Sequence, residues 1–263
     1  MPTLPPEPHR ARSMAESFGT DPARYDRSRP SYPDDMVAAI VAATPGPDVV
    51  DVGAGTGIAT RLFQAAGCRV LGVEVDPRMA DWARRRGLDV EVAAFESWDP
   101  AGRVFDAVVS GQSWHWIDPV AGAAKAAAIL RPGGRLAAFW NVSQPPPDLA
   151  EAFVDVYQRV APNSLAPRAF AATGYSPLTD KAIDGIRRAG GFDEPEEWLF
   201  DWERTYTRDE WLDQLPTSGA HTLVPPGKLD DVLADIGAVV DAAGGSFVMR
   251  YTAVVITSTR TTA

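Results

Sequence analysis

Apolar residues fall in short blocks along the first half of the chain. VVDV (49–52), CRVLGVEV (68–75), LDVEVAA (88–94), VFDAVVS (104–110) and RLAAFW (135–140) are rich in branched aliphatic residues and bounded by glycine, proline or polar positions. Such blocks predict buried parallel strands. The segments between them, 34–43, 57–66, 77–86 and 119–130, have helical composition. The first opens on two acids, which suit a helix N-terminus, and Pro77 suits a first helical turn. Strand and helix thus alternate from 34 to 140 with short connections. That rhythm predicts an α/β fold, a Rossmann-like, doubly wound, mostly parallel sheet with helices on both faces.

The pattern changes at NVSQPPPD (141–148), where prolines interrupt it. Helices are expected near 149–160, 179–190, 208–215 and 227–243, with a strand at 198–206. The chain closes on FVMRYTAVVITS (247–258), a strong strand signal after a Gly-Gly break. This last strand is expected to rejoin the main sheet, bringing it to seven strands. The expected divisions are a disordered tail over 1–17, a core with an N-terminal flap over 18–144, a helical lid drawn from 145–245, and the returning strand at 246–263.

Composition narrows the setting. The chain has 263 residues, 45% hydrophobic and 23% charged, an ordinary globular balance. No run reaches the roughly 18 apolar residues of a membrane span, and the proline-rich start lacks the apolar core of a signal peptide. With 35 acidic and 25 basic residues, the net charge is −10. That disfavours nucleic acid as the main partner; Arg84–Arg86 reads as a solvated helix end. The single cysteine, Cys68, allows no internal disulfide and reads as a small core residue, which fits a reducing, cytoplasmic location.

The densest chemical signal is DVGAGTG (51–57), directly after a strand and opening a helix. Gly53, Gly55 and Gly57 let backbone pass close to a ligand, Ala54 lies between them, and the helix start adds free N–H groups. The spacing is G-x-G-x-G rather than the dinucleotide G-x-G-x-x-G. Asp51, two before the first glycine, suits a ligand with an ammonium group and a sulfonium, and suits a pyrophosphate poorly. Glu74, at the end of the second strand, is placed to accept hydrogen bonds from ribose hydroxyls; Asp76 is a weaker candidate for the same role. After the fourth strand comes GQSWHWID (111–118), in which His115 is the histidine nearest a predicted site and a candidate general base. Trp114, Trp116 and Trp140 fall at strand ends and could line an apolar acceptor pocket. No cluster has metal-ligand spacing, so no metal is expected.

Taken together, DVGAGTG, GVEVDPRMA and LRPGGRLAAF resemble the motifs of the class I S-adenosylmethionine-dependent methyltransferases, specifically the methyltransferase type 11 and trans-aconitate methyltransferase-like group. The resemblance is good over about 18–140. It implies S-adenosylmethionine as cofactor. It also implies that Val75 and Met79 lie near the adenine, that Ala94, Phe95 and Glu96 meet the adenine's polar edge, and that Gln112 faces the cofactor. An aspartate frequent in that segment is here Ala94, so Glu96 is expected to take the amino-group contact. FGTDPARYDRSRPSYP (18–33) resembles a flap over the cofactor, with Tyr25 and Arg29 meeting its carboxylate. The expected function is methyl transfer to a small-molecule acceptor, most readily O-methylation of a carboxylate or hydroxyl, in a possible homodimer. Two rivals remain: a nicotinamide-dependent oxidoreductase and a non-catalytic adenosyl-ligand-binding regulator.

Overall fold

The computed structural model describes residues 18–162, 176–219 and 226–262, together with His9 and Val224. The expected tail over 1–17 lies, His9 apart, outside the described residues.

Five parallel strands form the centre: β1 (Asp48–Val52), β2 (Arg69–Glu74), β3 (Val90–Val92), β4 (Phe105–Gly111) and β5 (Leu130–Gln144). β6 (Glu196–Thr207) and β7 (Ser246–Thr259) complete a seven-stranded sheet of order β3-β2-β1-β4-β5-β7-β6, with β7 antiparallel to both neighbours. The central strands are buried on both faces, which is why they read as unbroken apolar runs. Strand order reverses between β1 and β4, so the ligand crevice of such a sheet lies beyond the carboxyl ends of these two strands.

Helices α1 (Pro22–Ser28), α2 (Asp34–Ala42), α3 (Ile58–Ala65), α4 (Pro77–Arg84) and α5 (Pro119–Ile129) come next. Their starts are locally encoded. The side chains of Asp21, Asp76 and Asp118 each accept a backbone N–H from the first turn, with proline following inside the helix. One face of the sheet packs α2 and α3 through Met36, Ile40 and Phe63 against Val109, Phe139 and Val255. The other packs α5 through Ala123, Ala126 and Ile129 against Val108, Leu136 and Trp140.

Two strands depart from the expected bounds. β3 is shorter, because Leu88 turns into a small cluster with Ala80, Ala83 and Val90. β5 is longer at both ends. RPGG forms an irregularity inside it, with Gly133 at φ 79°, and its far end, Ser143 and Gln144, still pairs with Tyr251 and Arg250 of β7. The three prolines, not the preceding NVSQ, end it.

The interval 145–245 is not one block. α7 (Ser176–Ala189) lies flat on the sheet beside α5, burying Leu178, Ala182 and Ile186 against Trp114 and Ile117, so it is a layer helix rather than part of a lid. β6 is a sheet strand. The remaining helices, α6 (Pro147–Val160), α8 (Arg208–Gln214) and α9 (Pro226–Ala242), build a separate apolar cluster on the far end of the β6–β7 hairpin. Phe153, Tyr157, Trp211, Val232 and Ile236 meet Tyr206, Phe247 and Met249 there. That far end belongs to the carboxyl side of β5, and the cluster forms a helical cap beside the crevice.

Candidate active site

The chain turns sharply after β1. Gly53, Gly55 and Gly57 have φ of 69°, 57° and 89°, the left-handed region where a side chain is strained. A Cβ at Gly53 would also stand 2.5 Å from the Ser113 side chain. The loop therefore needs glycine there both for its turn and for the approach of the β4 loop. Ser113 in turn donates its hydroxyl to the Val52 carbonyl at 2.7 Å, fastening the two loops together.

Asp51 is buried at the head of this loop, 1% exposed. One oxygen accepts the Thr60 hydroxyl at 2.6 Å, while the other, Oδ1, is buried without a partner. Burial pushes the carboxyl pKa up to about 6 against the pull of the Thr60 bond, and the charge of Glu74 adds to the rise. Glu74 is also buried. Its oxygens accept the Gly55 N–H at 2.7 Å and the Asp76 N–H at 2.9 Å. Burial raises its pKa and those backbone bonds oppose the rise. Asp76 is committed elsewhere: it caps α4 and pairs with Arg78 at 2.7 Å. Of the two acids at this strand end, only Glu74 adjoins the glycine loop.

Tyr25, Arg29, Asp51, Gly53, Ala54, Gly55 and Gln112 line one cavity, together with Tyr32, Thr56 and Asn141. Residues far apart in sequence are thus brought to one cavity. Gly57 stands at the loop's far end as the left-handed start of α3. Gln112 is itself left-handed, at φ 56°, held by its N–H to the Phe139 carbonyl. Met79 is buried on α4 and Val75 half-buried at the end of β2. Phe95 turns its ring into the core beside Trp98 and Trp114, so its backbone rather than its ring is what it can offer a ligand. Glu96 has one oxygen already bound to the Asp118 N–H at 3.0 Å. That bond braces the 111–118 loop.

His115, the candidate base, is tied to the sheet through one ring nitrogen. The indole N–H of Trp140 donates to His115 Nδ1 at 3.1 Å. Withdrawal from water among its aromatic neighbours pushes its pKa down to about 3. The ring is therefore neutral near pH 7, its basic nitrogen is occupied, and its other nitrogen carries the proton. In this arrangement the ring offers a donor at Nε2.

The 18–33 segment runs across the site as a strap. Arg24 and Arg27 both reach Asp213 of α8, and Asp26 pairs with Arg61 of α3 at 2.8 Å. Arg204 of β6 donates to the carbonyls of Ser28 and Arg29, and Asn141 of β5 donates to the Ser31 carbonyl. Phe18 sets its ring edge to Trp116, 6.1 Å between centroids. The sequence reading did not single out Thr60, Ser113, Asn141, Arg204 or Asp213. Asn141 left one signal, as the first polar residue after the apolar run of β5; the others left none.

A seven-stranded sheet of this order, with a glycine loop after β1 and a carboxylate closing β2, is a Rossmann-like fold with its ligand crevice at that loop. Comparison agrees: residues 50–138 match a family described as a methyltransferase domain. The chain is 38% identical over 133 residues to an uncharacterized methyltransferase of Mycobacterium tuberculosis, covering 49% of this chain and 54% of that protein. It is 32% identical over 133 residues to the malonyl-[acyl-carrier protein] O-methyltransferase of Hahella chejuensis, 47% of each. The chain spans about half the length of these curated relatives. A solved structure named for a type II methyltransferase of Anaeromyxobacter dehalogenans shares the fold, with TM-score 0.65 and 22% identity over 88% of this chain and 97% of that one. Over residues 50–138 the chain is thus similar to methyltransferase domains. Among the described residues, no helix is long and apolar enough to cross a membrane.

Proposed function

We infer that the protein transfers a methyl group from S-adenosylmethionine to an oxygen of a small-molecule acceptor. The observation that carries this reading is the Asp51 Oδ1 oxygen, buried and without a partner at the head of the glycine loop. An orphaned buried acceptor is costly, and a ligand ammonium group is the chemistry that would satisfy it. The residues fit an adenosyl cofactor. Asp51 and the loop would hold its amino-acid end with Tyr25 and Arg29 of the strap, and Glu74 would hold the ribose. Two acids beside the loop would repel a dinucleotide pyrophosphate.

When bound, the cofactor supplies a methyl already activated by the sulfonium charge. The protein's part is then to align the acceptor and exclude water, which the strap and cap helices are placed to do. The name of the Hahella relative, an O-methyltransferase, supports oxygen as the accepting atom. Calorimetry tests the reading directly. S-adenosylhomocysteine should bind at micromolar levels and NAD or NADP should give no heat; binding of NAD without S-adenosylhomocysteine would overturn it.

A further inference from the structure

The carboxylate of Asp51 owes its setting to a residue outside the cavity. Asp51 lines the cavity with the glycine loop, whereas Thr60, fully buried in the first turn of α3, does not. A helical threonine ordinarily returns its hydroxyl to the carbonyl four residues back. Here that carbonyl belongs to Thr56 and accepts the Arg61 guanidinium at 3.0 Å. The Thr60 hydroxyl goes instead to Asp51 Oδ2 at 2.6 Å. Oδ1 is then the oxygen left for a ligand, buried and without a partner. The other groups around Asp51 do not set it. Glu74, ending β2, repels its charge. Arg61 of α3 is turned to Asp26 at 2.8 Å. Tyr25 and Arg29 of the strap line the same cavity. β4 and its loop bring Ser110 and Ser113, both uncharged and both bound to the Val52 carbonyl. The hydroxyl and the backbone N–H of Thr60 favour the ionised carboxyl, against burial and against Glu74.

We propose that Thr60 is a positioning residue of the cofactor site, its hydroxyl turning the Asp51 carboxylate so that Oδ1 is presented to the ligand's ammonium group. The proposal rests on the S-adenosylmethionine reading above. Thr60 itself touches no ligand. A carboxylate with one oxygen tied has its rotation fixed before the ligand arrives, so binding does not have to order it. The same tie keeps the group charged, because a hydrogen bond to a carboxylate disfavours its protonation. A protonated Asp51 would meet the ammonium group with no opposite charge. Cofactor affinity should therefore be full above about pH 6 and fall as the pH drops through it, where Asp51 takes up its proton. Thr60 sets where that fall begins.

Calorimetry with S-adenosylhomocysteine between pH 5 and 8 tests this on the full chain. Thr60→Val keeps the shape and the backbone N–H and removes only the hydroxyl. At pH 8 it should bind about tenfold more weakly, and its loss of affinity on acidification should begin at higher pH. Thr60→Ser should restore both. Thr60→Ala gives the same comparison should the valine variant not fold. Added to Asp51→Asn, Thr60→Val should weaken binding by no more than about twofold further. An equal loss in both backgrounds, or an unmoved pH profile in Thr60→Val, would show that Thr60 only packs the helix and would overturn the proposal. If S-adenosylhomocysteine binds none of these proteins, the cofactor reading falls, and urea melts of the ligand-free proteins decide the tie between Thr60 and Asp51. The destabilisation by Thr60→Val should be larger at pH 8 than at pH 5, and that difference should vanish in Asp51→Asn. A penalty independent of pH would sink the tie as well.

Discussion

A buried carboxylate with one unpartnered oxygen works against the fold that holds it. The pKa of Asp51 rises from 3.8 to about 6 in the folded protein. Its folded form therefore binds the proton more readily than the unfolded chain, and the ionised group destabilises the free protein fully above pH 6. That penalty shrinks as pH falls from about 6 toward 4. Asp51→Asn keeps an acceptor for Thr60 and removes the charge. It should raise the stability of the ligand-free protein at pH 8 by roughly 1–2 kcal/mol, less than the full linkage limit of about 3 kcal/mol because the buried amide needs partners of its own. The same variant should bind S-adenosylhomocysteine at least about tenfold more weakly. Denaturant melts at pH 5 and pH 8 check the first expectation, where the gain should be larger at pH 8. Glu74 gives the complementary case. If its carboxylate accepts both ribose hydroxyls, Glu74→Ala should weaken binding by about 2–3 kcal/mol, since bonds to a charged group contribute roughly 1.5–3 kcal/mol each and water recovers part of the loss. Glu74→Asp should lose less. Normal binding by Glu74→Ala in calorimetry would move the adenosine off this edge.

At the scale of elements, legibility followed locality. The strands, the glycine loop and the capped helices were readable because each is specified within a few residues: three glycines at a strand–helix joint, or Asp-Pro at a helix start. Thr60, Ser113 and Asn141 were not, because their partners lie one strand or one helix away and no spacing rule connects them. His115 was readable as a residue, but its tie to Trp140 was not, since only the fold brings that indole to its Nδ1. The expected lid helices show the same limit: α7 and α9 are both amphipathic segments, and the sequence carries no mark that one lies on the sheet and the other on the hairpin. The strap shows how remote contacts set an element's behaviour. Its ties to Asp213 are partly exposed ion pairs, each contributing on the order of 0.5 kcal/mol to stability. Asp213→Ala should therefore shift the melting temperature little. It should still loosen the strap, so that backbone amides over 22–29 exchange with deuterium faster while those of β1 and β4 do not. Unchanged exchange in 22–29 would show that Arg61, Arg204 and Asn141 suffice to hold it.

For the whole molecule, β7 is the shared member. Its later residues Val255 and Ile256 sit in the two faces of the main core, and its earlier ones, Phe247, Met249 and Tyr251, sit in the cap cluster. A strand cannot keep half its ladder, so cap and core should melt as one unit. Phe153→Ala removes a fully buried ring from the cap cluster, a change that costs about 3–5 kcal/mol. Calorimetry should show a single transition moved to lower temperature; a second, separate transition would mean the cap is an independent domain.

The outer rim of the sheet carries a last consequence. β6 is an edge strand of 12 residues with one side unpaired among the described residues, and its solvent face presents Glu197 and Asp201, with Glu203 paired to Arg250 of β7, around the exposed Leu199. Two copies laid rim to rim would bring like charges into register, a repulsion that keeps such edges apart. The protection is colloidal and therefore conditional. Bringing the solution to the isoelectric region near pH 4.8 or adding molar salt weakens it, and light scattering should then record growth of particles that the same protein at neutral pH and low salt does not form.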